Sequence, residues 1–236
     1  SRYFMLNDLR HHKQRYPMMV QRYVALAFER NAVPSATEMP VLAPKLTVNP
    51  QQQAATLKQF EKQTALLGTR PLIGFCPGAE FGPAKRWPHY HYAKLAEMLI
   101  EQGYAIMLFG SAKDVDVGEQ IRNTLPEALQ PFCVNLAGQT SLDQAVDLIA
   151  HCVVIVSNDS GLMHIAAATS RPLVALYGPT SPTYTPPLSD KAIILRKIEG
   201  GLLKVRKSTD SAEGYHQSLI DLSPQDVMEA VRALQA

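Results

Sequence analysis

No apolar run in this 236-residue sequence is long enough to cross a bilayer. The longest, such as Cys152 to Val156 and Leu173 to Tyr177, extend about five residues, against the roughly 20 that a membrane helix needs. A basic, apolar, small-residue opening of the signal-peptide kind is also missing. The chain starts on Ser1-Arg2-Tyr3 without Met, as expected of an engineered fragment, a cleavage product or a protein whose N-terminus precedes Ser1. Charge of one sign is in short supply. Lys and Arg number 23 against 21 Asp and Glu, a formal net charge of +2, and no stretch interleaves bases with aromatics, so nucleic acid is not an expected partner. Cysteine is scarce too. Cys76, Cys133 and Cys152 are odd in number, fit no metal spacing and each sit in an apolar run. They read as small buried hydrophobes of a reducing compartment, which makes the cytosol the expected location. A Gly-x-x-x-x-Gly-Lys-Ser/Thr loop, a Gly-x-Ser-x-Gly elbow and a Gly-x-Gly-x-x-Gly fingerprint are all absent, which disfavours P-loop NTPases, serine hydrolases and the common dinucleotide site. His89 and His91, two apart on a helix, point to different faces and make a poor metal pair. No metal and no cofactor is expected.

What is present suits a folded domain: 46% of residues are hydrophobic and 19% charged, enough to bury a normal core. Residues 1–33 hold a basic opening and one helical pattern from about Arg15 to Arg30. Residues 34–69 read as a proline-rich linker followed by a helix, with Asn49 placed to cap it, Pro50 at its first position and Gly68 to end it. From Arg70 the pattern becomes strand, helix, strand, helix. Pro71–Cys76, Ala105–Phe109, Phe132–Leu136, Val153–Ser157, Leu173–Tyr177 and Ala192–Arg196 read as strands. Helical spacing recurs through Tyr92–Ile100, Val115–Leu125, Leu142–Ile149 and Leu162–Thr169. Leu142, Ala145, Val146 and Ile149 form an expected buried stripe behind a Ser141–Gln144 capping box. Residues 70–222 therefore form one expected unit and 223–236 a last helix opened by Ser223-Pro224. Short, continuously apolar strands between amphipathic helices imply an α/β fold, a Rossmann-like parallel sheet with helices on both faces. Such a sheet binds ligands at the carboxyl ends of its strands.

The unusual residues lie in the loops at those ends. After the first strand comes Pro77-Gly78-Ala79-Glu80-Phe81-Gly82-Pro83-Ala84-Lys85-Arg86-Trp87-Pro88. Its glycines allow close backbone approach, and Lys85 and Arg86 add charge just before a helix. That combination suits a phosphate group, and a tight turn with solvated basic residues accounts for it as well. After the fourth strand, Asn158-Asp159-Ser160-Gly161-Leu162-Met163-His164 opens a helix. Asp159 or Ser160 is placed to cap it, and Gly161 leaves the first amides uncovered for phosphate oxygens. His164, one turn in, reads either as a ligand contact or as a hydrogen-bonded structural histidine. Asp114, in the loop after the second strand, can accept from a ribose or stand as an ordinary surface acid. Thr180 and Ser181, after the fifth strand, offer hydroxyls beside the same crevice. Lys204, Arg206 and Lys207 form a basic loop that suits an anionic acceptor or membrane surface, and equally suits solvent.

Taken together, these loops closely resemble the C-terminal domain of the lipopolysaccharide heptosyltransferase family. The run Gly74 to Pro88 carries the resemblance first. Asn158 to His164 matches the family's second motif, and Leu176-Tyr177-Gly178-Pro179-Thr180 its third. Near the end, Ala212 to Ile220 favours the members that add the second heptose of the inner core. The resemblance covers essentially the whole chain. It implies a GT-B glycosyltransferase, two Rossmann-like domains across a cleft, with this sequence supplying the C-terminal one. Residues 1–33 are then the last piece of an N-terminal acceptor domain that supplies an acidic general base and is otherwise not here.

The implied donor is ADP-L-glycero-D-manno-heptose and the implied acceptor a lipid-linked core oligosaccharide. Lys85 and Asp159 are the implied catalytic pair. Gly78, Lys85, Asp114, Asp159, Ser160, Gly161, Leu162 and His164 are the implied donor contacts. Transfer is an inverting displacement that needs no metal, with ADP leaving. The implied location is cytoplasmic, with peripheral contact at the inner membrane. Rival readings are a type I or III member of the family, a nucleotide-sugar-binding fragment without catalysis, and a sugar-nucleotide 2-epimerase on a similar frame.

Overall fold

The structure is a computed structural model and describes residues 15–80, 82–199, 205 and 208–235. The described residues fall into two compact units. One runs to Leu42 and takes in Pro182–Pro186; the other comprises Ala43–Ser181 and the chain from Pro187 onward.

In the smaller unit the helical pattern expected from Arg15 to Arg30 contracts to α1, Met19–Val24, with a 3-10 turn over Ala25–Ala27. The reason is local. Pro17 cannot donate within a helix, and Arg15 is drawn aside to donate to the Val33 carbonyl at 3.1 Å. At the other end Phe28 leaves helical geometry with ψ at 152°. Tyr16, Ala25, Val33 and Met39 form the small core, so residues beyond Val33 pack as part of this unit. The Tyr16 hydroxyl donates to the Pro34 carbonyl at 2.6 Å, and the buried Gln21 amide to Ala36 at 2.9 Å.

The larger unit opens with a helix that starts as expected. The Asn49 side chain accepts from the amides of Gln51 and Gln52, and Pro50 occupies the first helical position of α2, Pro50–Gln59. It does not run unbroken to Gly68. Phe60 turns inward to join the core, splitting off α3, Glu61–Thr64, and a 3-10 turn at Ala65–Leu67. Gly68 then ends the segment with a positive φ of 61°.

Six strands follow: β1 Leu72–Cys76, β2 Ala105–Leu108, β3 Cys133–Asn135, β4 Val154–Asn158, β5 Leu173–Tyr177 and β6 Ala192–Arg196. All pair in parallel, in the order β3-β2-β1-β4-β5-β6. Between them run α4 His89–Glu101, α5 Val115–Thr124, α6 Leu142–His151 and α7 Gly161–Ala168; α8 Gln217–Ile220 and α9 Pro224–Ala233 follow β6. The short α8 has no periodic signal in the sequence. It begins where the His216 ring accepts from the Ser218 amide.

Alternation explains why the strands are apolar throughout. Ile73, Phe75, Ile106, Leu108, Val154, Val156, Val174 and Leu176 bury on one face with residues of α4, α5 and α9. Cys76, Met107, Ile155, Ala175 and Tyr177 bury on the other with residues of α6 and α7. Both faces are covered, as the sequence implies. The three cysteines are free and buried, and burial pushes the thiols of Cys76 and Cys133 up to about 12, and that of Cys152 up as well. They are packing residues and poor nucleophiles. No helix among the described residues is long and apolar enough to cross a membrane.

Candidate functional site

The strand order reverses between β1 and β4. From that point the chain winds outward in opposite directions, so the loops leaving the two carboxyl ends diverge and leave a crevice. The site is built there. After β1, a 3-10 turn at Pro83–Lys85 precedes α4. Lys85 Nζ lies 2.7 Å from Asp159 Oδ2. Its side chain is 16% exposed and that of Asp159 7%, so the pair is largely withdrawn from water. Two residues separated by 74 positions thus meet across the switch point.

Neither Asp159 nor Ser160 caps α7. Ser160 occupies the N-cap position in extended geometry, but its side chain makes no cap bond. Its hydroxyl lies instead 3.4 Å from the Ser157 hydroxyl, and the Asp159 carboxylate is turned to Lys85. The expected cap is therefore corrected, and the amino end of α7 is less occupied than the sequence suggested. Nothing lies within 4 Å of where a Gly161 side chain would begin. With no side-chain cap, the start of α7 carries the partial positive charge of a helix amino end, and Ser160, Gly161 and Leu162 line an open cavity.

Asp114 is more constrained than a surface acid. It is buried, and one carboxylate oxygen accepts from the Ser111 amide at 2.9 Å and hydroxyl at 2.8 Å. The other oxygen lies 3.3 Å from Arg86 Nη2. Gly78 faces this carboxylate so closely that a methyl group there would come within 2.6 Å of it. The glycine is needed because an anchored acid lies against its backbone.

A cavity of about 430 Å³ opens between these elements. Gly78, Ala79 and Glu80 line it from the β1 loop, and Gly110, Ser111 and Asp114 from the β2 loop. Thr140, Ser141, Leu142 and Ala145 contribute from the start of α6, and Ser160, Gly161, Leu162 and Ile165 from the start of α7. Of the sequence-predicted residues, Gly78, Asp114, Ser160, Gly161 and Leu162 line this space. Lys85 and Asp159 form the ion pair outside that lining. His164 is half-buried within electrostatic reach of both of them, its ring pushed below the ordinary histidine range by burial, which the Asp159 charge partly opposes. Thr180, expected at the crevice, is buried, its hydroxyl has no partner among the described residues, and it does not line the cavity. Lys204, Arg206 and Lys207 lie outside the described residues.

The α6 contribution was missed. Leu142, read as part of a buried stripe, is 65% exposed and forms a wall of the cavity. The usable signal was its position: the first helical residue after a cap, at the carboxyl end of the sheet. A larger cavity, about 720 Å³, lies at the opposite end, where Pro71 and Val153 enter β1 and β4. It is not the better candidate. Its Arg70 guanidinium is already engaged by the carbonyls of Ile100 and Tyr104 and rests on the Phe132 ring. Strand amino ends also lack the helix starts that attract anions.

Burial also holds His89 and His91 below the ordinary histidine range. With His164 they take up a proton at lower pH in the folded chain than in the unfolded chain, where a histidine protonates near pH 6.5. The unfolded state thus binds more protons as pH falls below that value, and stability falls with it. The urea midpoint is expected to drop from pH 7 to pH 5. His91→Gln should lessen the drop, and an equal drop in that variant contradicts the assignment of His91.

A parallel six-stranded sheet whose order reverses between β1 and β4, with helices on both faces, defines a Rossmann-like α/β domain of the GT-B glycosyltransferase kind. The model of glycosyltransferase family 9 (heptosyltransferase) matches residues 1–216, and the chain belongs to that family. It is 72% identical to lipooligosaccharide heptosyltransferase 2 of Haemophilus influenzae over 236 residues, which is all of this chain and 68% of the relative. It is 57% identical to lipopolysaccharide heptosyltransferase 2 of Escherichia coli, covering 99% of this chain and 66% of that protein. The solved structure of E. coli ADP-heptose LPS heptosyltransferase II superposes with a TM-score of 0.86 at 54% identity, over 99% of this chain and 66% of that one. The chain thus spans about two thirds of the length of the relatives it matches.

Proposed function

We propose that this chain carries the donor half of an inverting heptosyltransferase. It binds ADP-L-glycero-D-manno-heptose, and the complete enzyme transfers the heptose to lipopolysaccharide as the second heptose of the inner core. The observation that carries this reading is the Lys85–Asp159 pair beside the open start of α7, both at the edge of a nucleotide-sized cavity. Membership of the heptosyltransferase family and relatives of type 2 at 57–72% identity support it.

Each part of the donor has a counterpart. Leu142, Ala145, Leu162 and Ile165 offer an apolar wall to the adenine ring. Asp114 keeps about one lone pair beyond the three used by Ser111 and Arg86, on the oxygen that meets Arg86, and can accept there from a ribose hydroxyl. The diphosphate meets Lys85 and the first amides of α7. As the bond to the anomeric carbon breaks, negative charge builds on ADP, where this cation and these amides are already oriented. One such donor is worth roughly 3 kcal/mol in a transition state. Asp159 Oδ1 has no partner among the described residues and is available to a heptose hydroxyl while Oδ2 holds Lys85. Acceptor binding and the general base belong to the third of the relatives' length that this chain does not span. The reaction is placed in the cytoplasm, at the inner membrane where the lipid-linked acceptor is anchored.

Calorimetric titration of the 236-residue chain with ADP-heptose, paired with a labelled-heptose transfer assay, tests this. Binding without transfer is expected. No binding sinks the donor-site reading, and turnover by this chain alone sinks the division of labour.

A further inference from the structure

Asn158, the last residue of β4, is fully buried, and its side-chain amide makes three hydrogen bonds, two of them to the loop that carries Lys85 and one to α4. Its Nδ2 donates to the Pro77 carbonyl at 2.7 Å. Its Oδ1 accepts from the Trp87 backbone amide at 3.0 Å and from the Tyr92 hydroxyl at 3.2 Å. Pro77 and Trp87 are the two ends of that loop, so one side chain fastens both to the end of β4. The next residue, Asp159, holds Lys85 itself.

We propose that Asn158 is a positioning residue for diphosphate binding, clasping the loop so that Lys85 arrives already oriented. This deepens the donor-site reading and rests on it. Without the clasp, the Pro77 carbonyl and the Trp87 amide lose buried partners, and the loop between them gains freedom that binding must then remove. A cation at a fixed point contributes to phosphate affinity because it needs no reorganisation. A wandering one does not.

The inference separates from a general structural role because only the diphosphate meets Lys85. ADP and adenosine are titrated into the wild-type chain, Asn158→Ala, Lys85→Ala and the double variant, with urea unfolding of each as a check on folding. Asn158→Ala is expected to weaken ADP about tenfold and to leave adenosine within about twofold. In the Lys85→Ala background, removing Asn158 is expected to cost less than about twofold more, since no cation remains to be placed. If Asn158→Ala does not fold, Asn158→Ser is used; its hydroxyl cannot serve all three partners, and the same split between ADP and adenosine is expected. Equal losses for ADP and adenosine, or a full additional loss in the double variant, overturn the inference. ADP binding that needs Lys85 but not Asn158 overturns the inference alone. Failure of the wild-type chain to bind ADP overturns the donor-site reading, and this inference with it.

Discussion

Lys85→Ala is expected to weaken ADP binding roughly ten- to a hundredfold. The ammonium sits on a largely buried carboxylate at the switch point, where few waters screen it. A hydrogen bond to a charged group contributes about 1.5–3 kcal/mol, which is that range of affinity. Asp159→Asn is the informative contrast. It removes a negative charge from beside the diphosphate and keeps an oxygen to accept from Lys85. ADP affinity is therefore expected to stay within a few-fold of wild type, whereas ADP-heptose loses a charged acceptor for its sugar hydroxyls and weakens by about tenfold or more. Titrating both variants with both ligands decides between the roles. If Lys85→Ala binds ADP like wild type, the diphosphate lies elsewhere. Equal losses of ADP and ADP-heptose in Asp159→Asn remove its proposed contact with the sugar.

Trp87→Ala is expected to have the largest effect on stability. Trp87 is the only tryptophan and is fully buried. Its ring meets Tyr92 edge-on at 4.8 Å, and its Nε1 donates to the Leu222 carbonyl at 2.7 Å. Truncation leaves a cavity and an unpaired buried carbonyl, at a cost of about 3–5 kcal/mol. That is a large part of the roughly 5–15 kcal/mol that holds a typical domain folded. Trp87→Phe keeps most of the packing and loses mainly the bond to Leu222, about 1–3 kcal/mol. Urea unfolding followed by circular dichroism measures both, since the variants lack the fluorescent probe. A loss under about 1 kcal/mol in Trp87→Ala contradicts the packing described.

The sheet was readable from sequence because parallel strands bury both faces. Leu173–Tyr177 and Ala192–Arg196 emerge with the expected bounds, and the other four strands shift by no more than a residue at each end. The site loops were readable for a related reason: polar and glycine-rich residues following such strands are confined to the carboxyl edge. What pairing the side chains adopt was not readable. Lys85 and Asp159 lie far apart along the chain, and only the β1–β4 neighbourhood brings them together. A serine before a helical glycine looks like a cap, and nothing local reveals that Ser160 turns toward Ser157. Leu142 fits a buried stripe by its spacing, but the first turn of α6 projects past the core into the cavity. The shortened α1 turns on the pull of Val33 upon Arg15, a tertiary effect that helical periodicity does not carry.

The central claim is that the nucleotide occupies the carboxyl end of the sheet and not the larger cavity at its amino end. Backbone amide chemical shifts of the 236-residue chain, followed during an ADP titration, locate the ligand directly. Shifts concentrated at Gly78, Ser111, Ser141, Ser160, Gly161 and Leu162 are the expected result. Shifts concentrated at Lys58, Gly68, Arg70 and His151, or none at all, contradict it.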